Sequence, residues 1–232
     1  MTVKDIMTEL RTKGSDSIKK IQLKHGVREP LFGVKVEYLK VIEKKIKKDY
    51  QLAKDLYATG NADAMYLAGL IADDQKMTKA DLQTWVSQAV SQNISEYTVP
   101  WVAAEGQHGY ELALLWIESP KENVAAAGWA TLASLVVLKE DSDLDITNLK
   151  SLLARVARDI VKTENRARHA MNGFIIAVGI YVKALTENAL ATANKIHSDK
   201  NFAALKLPNA ADYILKIKEK GTLGKKKKTV KC

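Results

Sequence analysis

Apolar residues recur along this chain at spacings of three and four and nowhere in sustained alternation. That is the period of a helix and not of a strand, so the pattern predicts one amphipathic helix after another. Thr2 to Leu10 opens the series, and Gly14 with Ser15 marks a stop and a fresh start. A second helix runs to His25 before Gly26, and Pro30 and Gly33 make Arg28 to Gly33 a loop. From Val34 to Lys48, Val34, Val36, Leu39, Ile42 and Ile46 form an apolar stripe with lysines opposite. A short partner covers Tyr50 to Ala58 and ends at Gly60. Asn61 caps Ala62 to Ala72, where Ala64, Ala68 and Gly69 permit close approach to a neighbour. Thr78 with Asp81 has the form of a capping box and opens the helix that carries Trp85.

The same pattern continues downstream. Pro100 fits the first turn of a helix beginning near Thr98, because deeper in it would clash with the preceding turn. Gly106 and Gly109 interrupt the chain before Tyr110 to Glu118. Pro120 begins a helix through Trp129 to Leu138, and Asp141 to Asp145 is an acidic turn. Ile146 to Lys162 places Leu149, Leu152, Leu153, Val156 and Ile160 on one side. Arg166 to Val182, capped near Asn165, then Thr186 to His197 and Asn209 to Lys220 complete the helices, with Lys200 to Pro208 irregular. Helix pairs fall at 34–58, 61–91, 98–118, 121–162 and 165–197, a recurrence of roughly 30 to 45 residues that suits a helical-repeat solenoid. A compact non-repeating bundle is the alternative. The expected organisation is all-α, one domain over residues 1–220, then a flexible basic tail over 221–232.

Composition narrows the class. With 47% hydrophobic residues in 232, the chain can bury a full core. No apolar run reaches the roughly 18 residues that span a bilayer. Met1 to Met7 has no signal-peptide core. Cys232, the single cysteine, leaves no intramolecular disulfide, and nothing follows it to make a prenylation site. These features lead to the expectation of a cytoplasmic, intracellular protein with no membrane partner. Charge is more telling in its distribution than in its sum. Residues 1–60 carry 14 Lys and Arg against 8 Asp and Glu, residues 61–145 carry 4 against 13, and residues 146–232 carry 18 against 6. Two basic ends flank an acidic middle, so a polyanion would be gripped at the ends by lysines that release counterions. For Lys44 to Lys48 alone, a solvated helix face explains the run equally well.

The richest local chemistry is Thr98-Val-Pro-Trp-Val-Ala-Ala-Glu105, where Trp101 and Glu105 share a helix face four residues apart. An acid beside an indole suits a base-like or cationic group; the commoner meaning of such a pair is a half-buried indole beside a solvated Glu. Arg166 and Arg168 at a helix start suit a phosphate, or a solvated loop. His25, His108, His169 and His197 are far apart and show no metal-ligand spacing, so neither a metal nor a cofactor is expected. His108 lies seven residues after Trp101 and belongs either near Glu105 or in the Gly106–Gly109 turn. Neither a phosphate-binding glycine loop nor a nucleophile elbow is present.

Leu31-Phe-Gly-Val-Lys-Val-Glu-Tyr-Leu-Lys40, Asp63-Ala-Met-Tyr-Leu-Ala-Gly-Leu-Ile-Ala72, Tyr97 to Ala104 and Asn172-Gly-Phe-Ile-Ile-Ala-Val-Gly179 together resemble the bacterial DNA alkylation repair family. The resemblance runs from about residue 5 to residue 220. It implies a HEAT-like solenoid, a right-handed superhelix of antiparallel helix pairs with a cationic concave face for double-stranded DNA. The implied activity is release of N3- or N7-alkylated purines. Such bases already carry positive charge, so a carboxylate that stabilises an oxocarbenium-like sugar suffices without general-acid help.

Carried over by position, Trp101 matches the family's Trp, but Glu105 stands where Asp is expected. The family's Arg falls near Gly128. A Gly-Trp pair matches Gly173-Phe174, which keeps aromaticity and loses the indole. The resemblance thus implies Glu105 and Trp101 as catalytic residues, with Phe174 and Tyr97 as an aromatic wall. Phosphate contacts are expected from Lys35, Arg155, Arg158, Lys162, Arg166 and Arg168, and from Lys225, Lys226, Lys227 and Lys228 in the tail. The leading expectation is a monomeric alkylpurine DNA glycosylase. Its rivals are a non-catalytic DNA-binding relative that recognises distorted or damaged duplex, and a protein-interaction scaffold.

Overall fold

The computed structural model describes residues 1–200 and 202–231, which leaves the lone cysteine, Cys232, outside the described residues. The described residues are helical with no strand. Their packing separates into two compact units, Met1–Gly109 together with Lys231, and Tyr110–Val230.

In the first unit the helices are α1 (Val3–Lys13), α2 (Asp16–Lys24), α3 (Val36–Ile46), α4 (Tyr50–Ala58), α5 (Ala62–Ile71), α6 (Lys79–Gln88) and α7 (Val99–Glu105). The starts of α1, α4, α5 and α6 are set by side-chain caps. The Thr2 hydroxyl accepts from Asp5 N–H, and the Asp5 carboxylate accepts from Thr2 N–H. Asn61 accepts from the N–H groups of Asp63 and Ala64. The apolar stripe of α3 buries Leu39 and Ile42, and α5 sinks nearly its whole length into the unit. Tyr57 and Trp85 stack with ring centroids 4.0 Å apart.

Two acids fasten this unit. The carboxylate of Asp63, on α5 and 3% exposed, accepts the N–H groups of Phe32, Gly33 and Val34 at 2.6, 3.1 and 3.1 Å. Burial raises its pKa, and the three donors offset part of that rise. Gly33 is required where it stands: its φ is +78°, and a Cβ would lie 2.5 Å from the carbonyl oxygen of Ser15. Asp81, on α6, accepts from Tyr50 Oη at 2.7 Å and from Thr78 Oγ1 at 2.7 Å, and pairs with Lys54 Nζ at 2.7 Å. Burial by itself would raise the Asp81 pKa, but these donors outweigh it and hold the group at about 2.

The second unit holds α8 (Gly109–Trp116), which enters it from Tyr110, then α9 (Glu122–Leu138), α10 (Ile146–Asp159), α11 (Asn165–Tyr181), α12 (Thr186–His197), α13 (Phe202–Leu205) and α14 (Ala210–Glu219). Its core is the pairing of α9 with α11, where Trp129 meets Phe174 at 5.3 Å. Lys200–Pro208, expected to be irregular, contains the short α13. No single helix of the described residues is long and apolar enough to cross a membrane.

The segment expected to be a flexible tail is instead bonded to the second unit. Gly224 N–H donates to Ile180 O at 2.7 Å and Lys227 N–H to Val137 O at 2.9 Å. Lys226 Nζ, on a side chain 8% exposed, donates to Val136 O at 3.0 Å and pairs with Asp141 at 2.9 Å. The physical reason lies in α9 and α11, whose last carbonyls have no partner within their own helices and attract donors and cations. The lysine run supplies both.

Two outcomes follow from these fastenings. Lys226→Met should lower unfolding stability by about 1–3 kcal/mol, because a buried carbonyl and a carboxylate lose their partner; urea denaturation measures it. For Asp81, the folded pKa lies below the unfolded 3.8, so its contribution is full above pH 4 to 5 and lost as pH falls towards about 2. Wild type should therefore lose about 2 kcal/mol more than Asp81→Asn over that window. Equal acid sensitivity of the two proteins would refute the assignment.

Candidate functional site

Trp101 and Glu105 sit on α7, a seven-residue helix entered through one π-helical turn, Ile94–Thr98. Such turns recur at functional sites because they re-aim side chains. The turn closes with Val99 N–H donating to Ile94 O, and it is pinned by α5: a Cβ on Gly69 would lie 2.5 Å from Thr98 Cγ2. The small residues of α5 thus allow the close approach that puts Tyr66 edge-on to Trp101, at 5.4 Å and 83°. Tyr97 tilts against the same indole, at 5.9 Å and 59°. Trp101 is only 6% exposed, and Tyr97 is 49% exposed.

Glu105 ends α7 one turn beyond Trp101 and is half-buried. A carboxylate at a helix C-terminus opposes the helix dipole, so this position is held by other contacts. The Glu105 carbonyl accepts from Gln75 Nε2 at 2.6 Å. Gly106 packs on the backbone of Asp74, where a Cβ would come within 2.7 Å of its carbonyl oxygen. Asp74 is therefore a neighbour of Glu105. Its side chain is 1% exposed and pairs with Lys48 Nζ at 3.3 Å and Lys231 Nζ at 2.7 Å. Burial raises the Asp74 pKa, the two lysines pull it down, and the Glu105 charge adds to the rise. His108 lies half-buried in the Gly106–Gly109 turn. Tyr66, Asp74 and Lys48 escaped the sequence reading, since nothing in the local spacing ties them to α7.

In the second unit two expectations need correction, and the position matched to the family's Arg is closed. Phe174 is 0% exposed and packs on Trp129 in the core, so its ring does not line a surface. Its neighbour Gly173 is the open position, with nothing within 4 Å of a built Cβ. Gly128 has no room for a side chain: a Cβ would lie 2.7 Å from Ile117 N and 2.9 Å from Ala113 O. The start of α11 is not an empty phosphate cradle, because the Glu122 carboxylate accepts the Arg166 N–H at 2.6 Å.

Several expected phosphate contacts are held by the protein itself. Arg155 pairs bidentately with Glu118, donates to Ile117 O and lies 5.7 Å over the Trp129 ring. Arg168 donates to Ile160 O and Thr163 O. Arg158 is exposed but paired with Asp159 at 2.8 Å, which raises the Arg158 pKa and lowers that of Asp159. Lys35 is exposed beside Glu37. Lys162, Lys225, Lys227 and Lys228 are exposed, and Arg166 is half-buried.

Comparisons with known proteins cover almost the whole chain. A family model described as DNA alkylation repair enzyme matches residues 6–214. An uncharacterized protein of Listeria monocytogenes serovar 1/2a is 30% identical over 230 residues, 95% of this chain and 99% of that one. One of Listeria innocua serovar 6a is 28% identical over 229 residues, with the same coverage. A solved structure matches all of this chain and all of its own at 35% identity and a TM-score of 0.90. It is described as a new family of proteins related to the HEAT-like repeat DNA glycosylases with affinity for branched DNA structures. The all-α, HEAT-like fold that the resemblance implied is the fold of this chain.

Packing at residue 128 generates a sharp test. Gly128→Arg should destabilise the protein by about 3 kcal/mol or more, because backbone atoms of α8 and its end would have to move. Gly173→Arg should be nearly neutral in the same melt. Comparable losses at both positions would contradict the packing described for α9.

Proposed function

The chain belongs to the DNA alkylation repair enzyme family, and from that membership we propose that it binds branched or distorted duplex DNA without excising bases. The observation that carries this reading is the full-length likeness to a solved protein described as having affinity for branched DNA structures. Three site features support it. The position expected to hold Arg is Gly128, closed to any side chain. The expected aromatic wall at Phe174 is interior. Trp101 is walled in by two tyrosines. A glycosylase of alkylated purines needs a carboxylate and aromatic faces that reach the nucleotide, and here Glu105 and Tyr97 are accessible whereas Trp101 and Phe174 are buried.

Affinity in this reading comes from exposed lysines at the basic ends, Lys162, Lys225, Lys227 and Lys228 among them, with no base readout. An intracellular location and a monomeric state belong to the same proposal. Glycosylase activity is the second reading, favoured by one observation: Trp101 and Glu105 lie one turn apart on α7.

Binding to a four-way junction and to linear duplex of matched sequence, titrated against salt, is the test. The junction should bind more tightly, and log affinity should fall linearly with log salt, by roughly 0.9 per phosphate contact. No 3- or 7-methylpurine should be released from methylated DNA above the uncatalysed rate. Release that Glu105→Gln abolishes would establish the glycosylase reading instead. Salt-independent or absent DNA affinity would leave the scaffold reading.

A further inference from the structure

The exposed aromatic of the α7 cluster is Tyr97 and not Trp101. The indole is engaged by two rings: Tyr66 stands near-perpendicular to it at 5.4 Å and Tyr97 tilts against it at 5.9 Å, and it is 6% exposed. Tyr97 stands 49% in solvent on the outside of that cluster. Its mount is rigid. Ile94, Ser95 and Thr98 of the π-helical turn are buried beneath it, and α5 closes on Thr98 through Gly69. A large flat ring held outward on a fixed turn costs little entropy to bury against a ligand, since it is already in place.

Local charge decides what that ligand is. Burial of the hydroxyl, with the charge of adjacent Glu96, raises the Tyr97 pKa, so the ring stays neutral. Glu105 ends α7, the helix that this turn opens. Negative charge beside the ring repels phosphate, whereas a nucleobase face, which carries no charge, is not repelled. Linear duplex DNA offers few such faces, because its bases are stacked on one another. Branch points offer them, where stacking is interrupted and a base or terminal pair is uncovered.

We propose that Tyr97 is a stacking platform for an uncovered base at a DNA branch point, with Trp101 and Tyr66 as its backing. This rests on the DNA-binding reading and adds to it the source of preference for branched over linear DNA. Lysines supply affinity for any duplex, and Tyr97 supplies the discrimination.

The test uses the full chain with a three-way junction carrying 2-aminopurine at an unpaired branch position, and a linear duplex of the same sequence. Wild type should quench the 2-aminopurine on binding. Tyr97→Leu, which keeps an apolar group against Trp101, should weaken junction binding about tenfold and abolish the quenching. Its affinity for linear duplex and the salt slope should be unchanged, because no cation is removed. Tyr97→Phe should behave as wild type, since the ring remains. Thermal melts of both variants confirm that the fold is kept, and Tyr97→Trp provides a second ring-retaining variant should leucine prove unstable. Junction binding and quenching by Tyr97→Leu equal to wild type would overturn the platform while leaving the DNA-binding reading intact. Absence of DNA affinity in wild type would overturn both.

Discussion

Short helices are expensive at their ends, and this chain is made of short helices. Each leaves backbone N–H groups at its start and carbonyls at its finish without partners, and burying them unsatisfied costs free energy that packing must offset. The rest of the structure follows from how those ends are settled. Asn61, Asp49 and Asp145 cap starts from within their own segments. Glu122 reaches the start of α11 from another helix. The Gly224–Lys227 segment settles the finishes of α9 and α11. Asp63 does the same service for a loop, collecting three N–H groups that no secondary structure claims.

This constraint also explains why charge is a poor guide to where DNA would lie. A cation near a helix finish and a cation awaiting a phosphate look alike in sequence. Arg155, Arg168 and Lys226 belong to the first kind, each bonded to carbonyl oxygens of its own unit. What remains exposed is a smaller set, made mostly of lysines, and lysine is a point charge on a flexible stem that grips without reading. Selectivity then has to come from something that is not charged.

Helix periods, caps and small-residue faces were readable along the chain because they are local: Thr2 with Asp5, Thr78 with Asp81 and Asn209 with Ala211 act over two or three residues. The family resemblance was readable for a related reason, since its segments keep their order. Exposure was not readable. Nothing near Phe174 distinguishes a ring that faces solvent from one packed on Trp129, because that contact is made by a residue 45 positions earlier. The π-helical turn before α7 carries no sequence signature, and the bond from Lys226 to Val136 spans 90 residues. The helices were therefore legible, and the exposure of the candidate residues was not.

Gly128 has a consequence for which residues this site can exchange. An arginine there would have to displace the backbone of Ile117 and Ala113, so α8 and α9 would have to part before the residue could be admitted. A change from Glu105 to Asp, by contrast, removes one methylene from a half-buried side chain. The two departures from the family pattern are thus unequal as substitutions: one alters reach by a methylene within the existing packing, and the other requires two helices to rearrange.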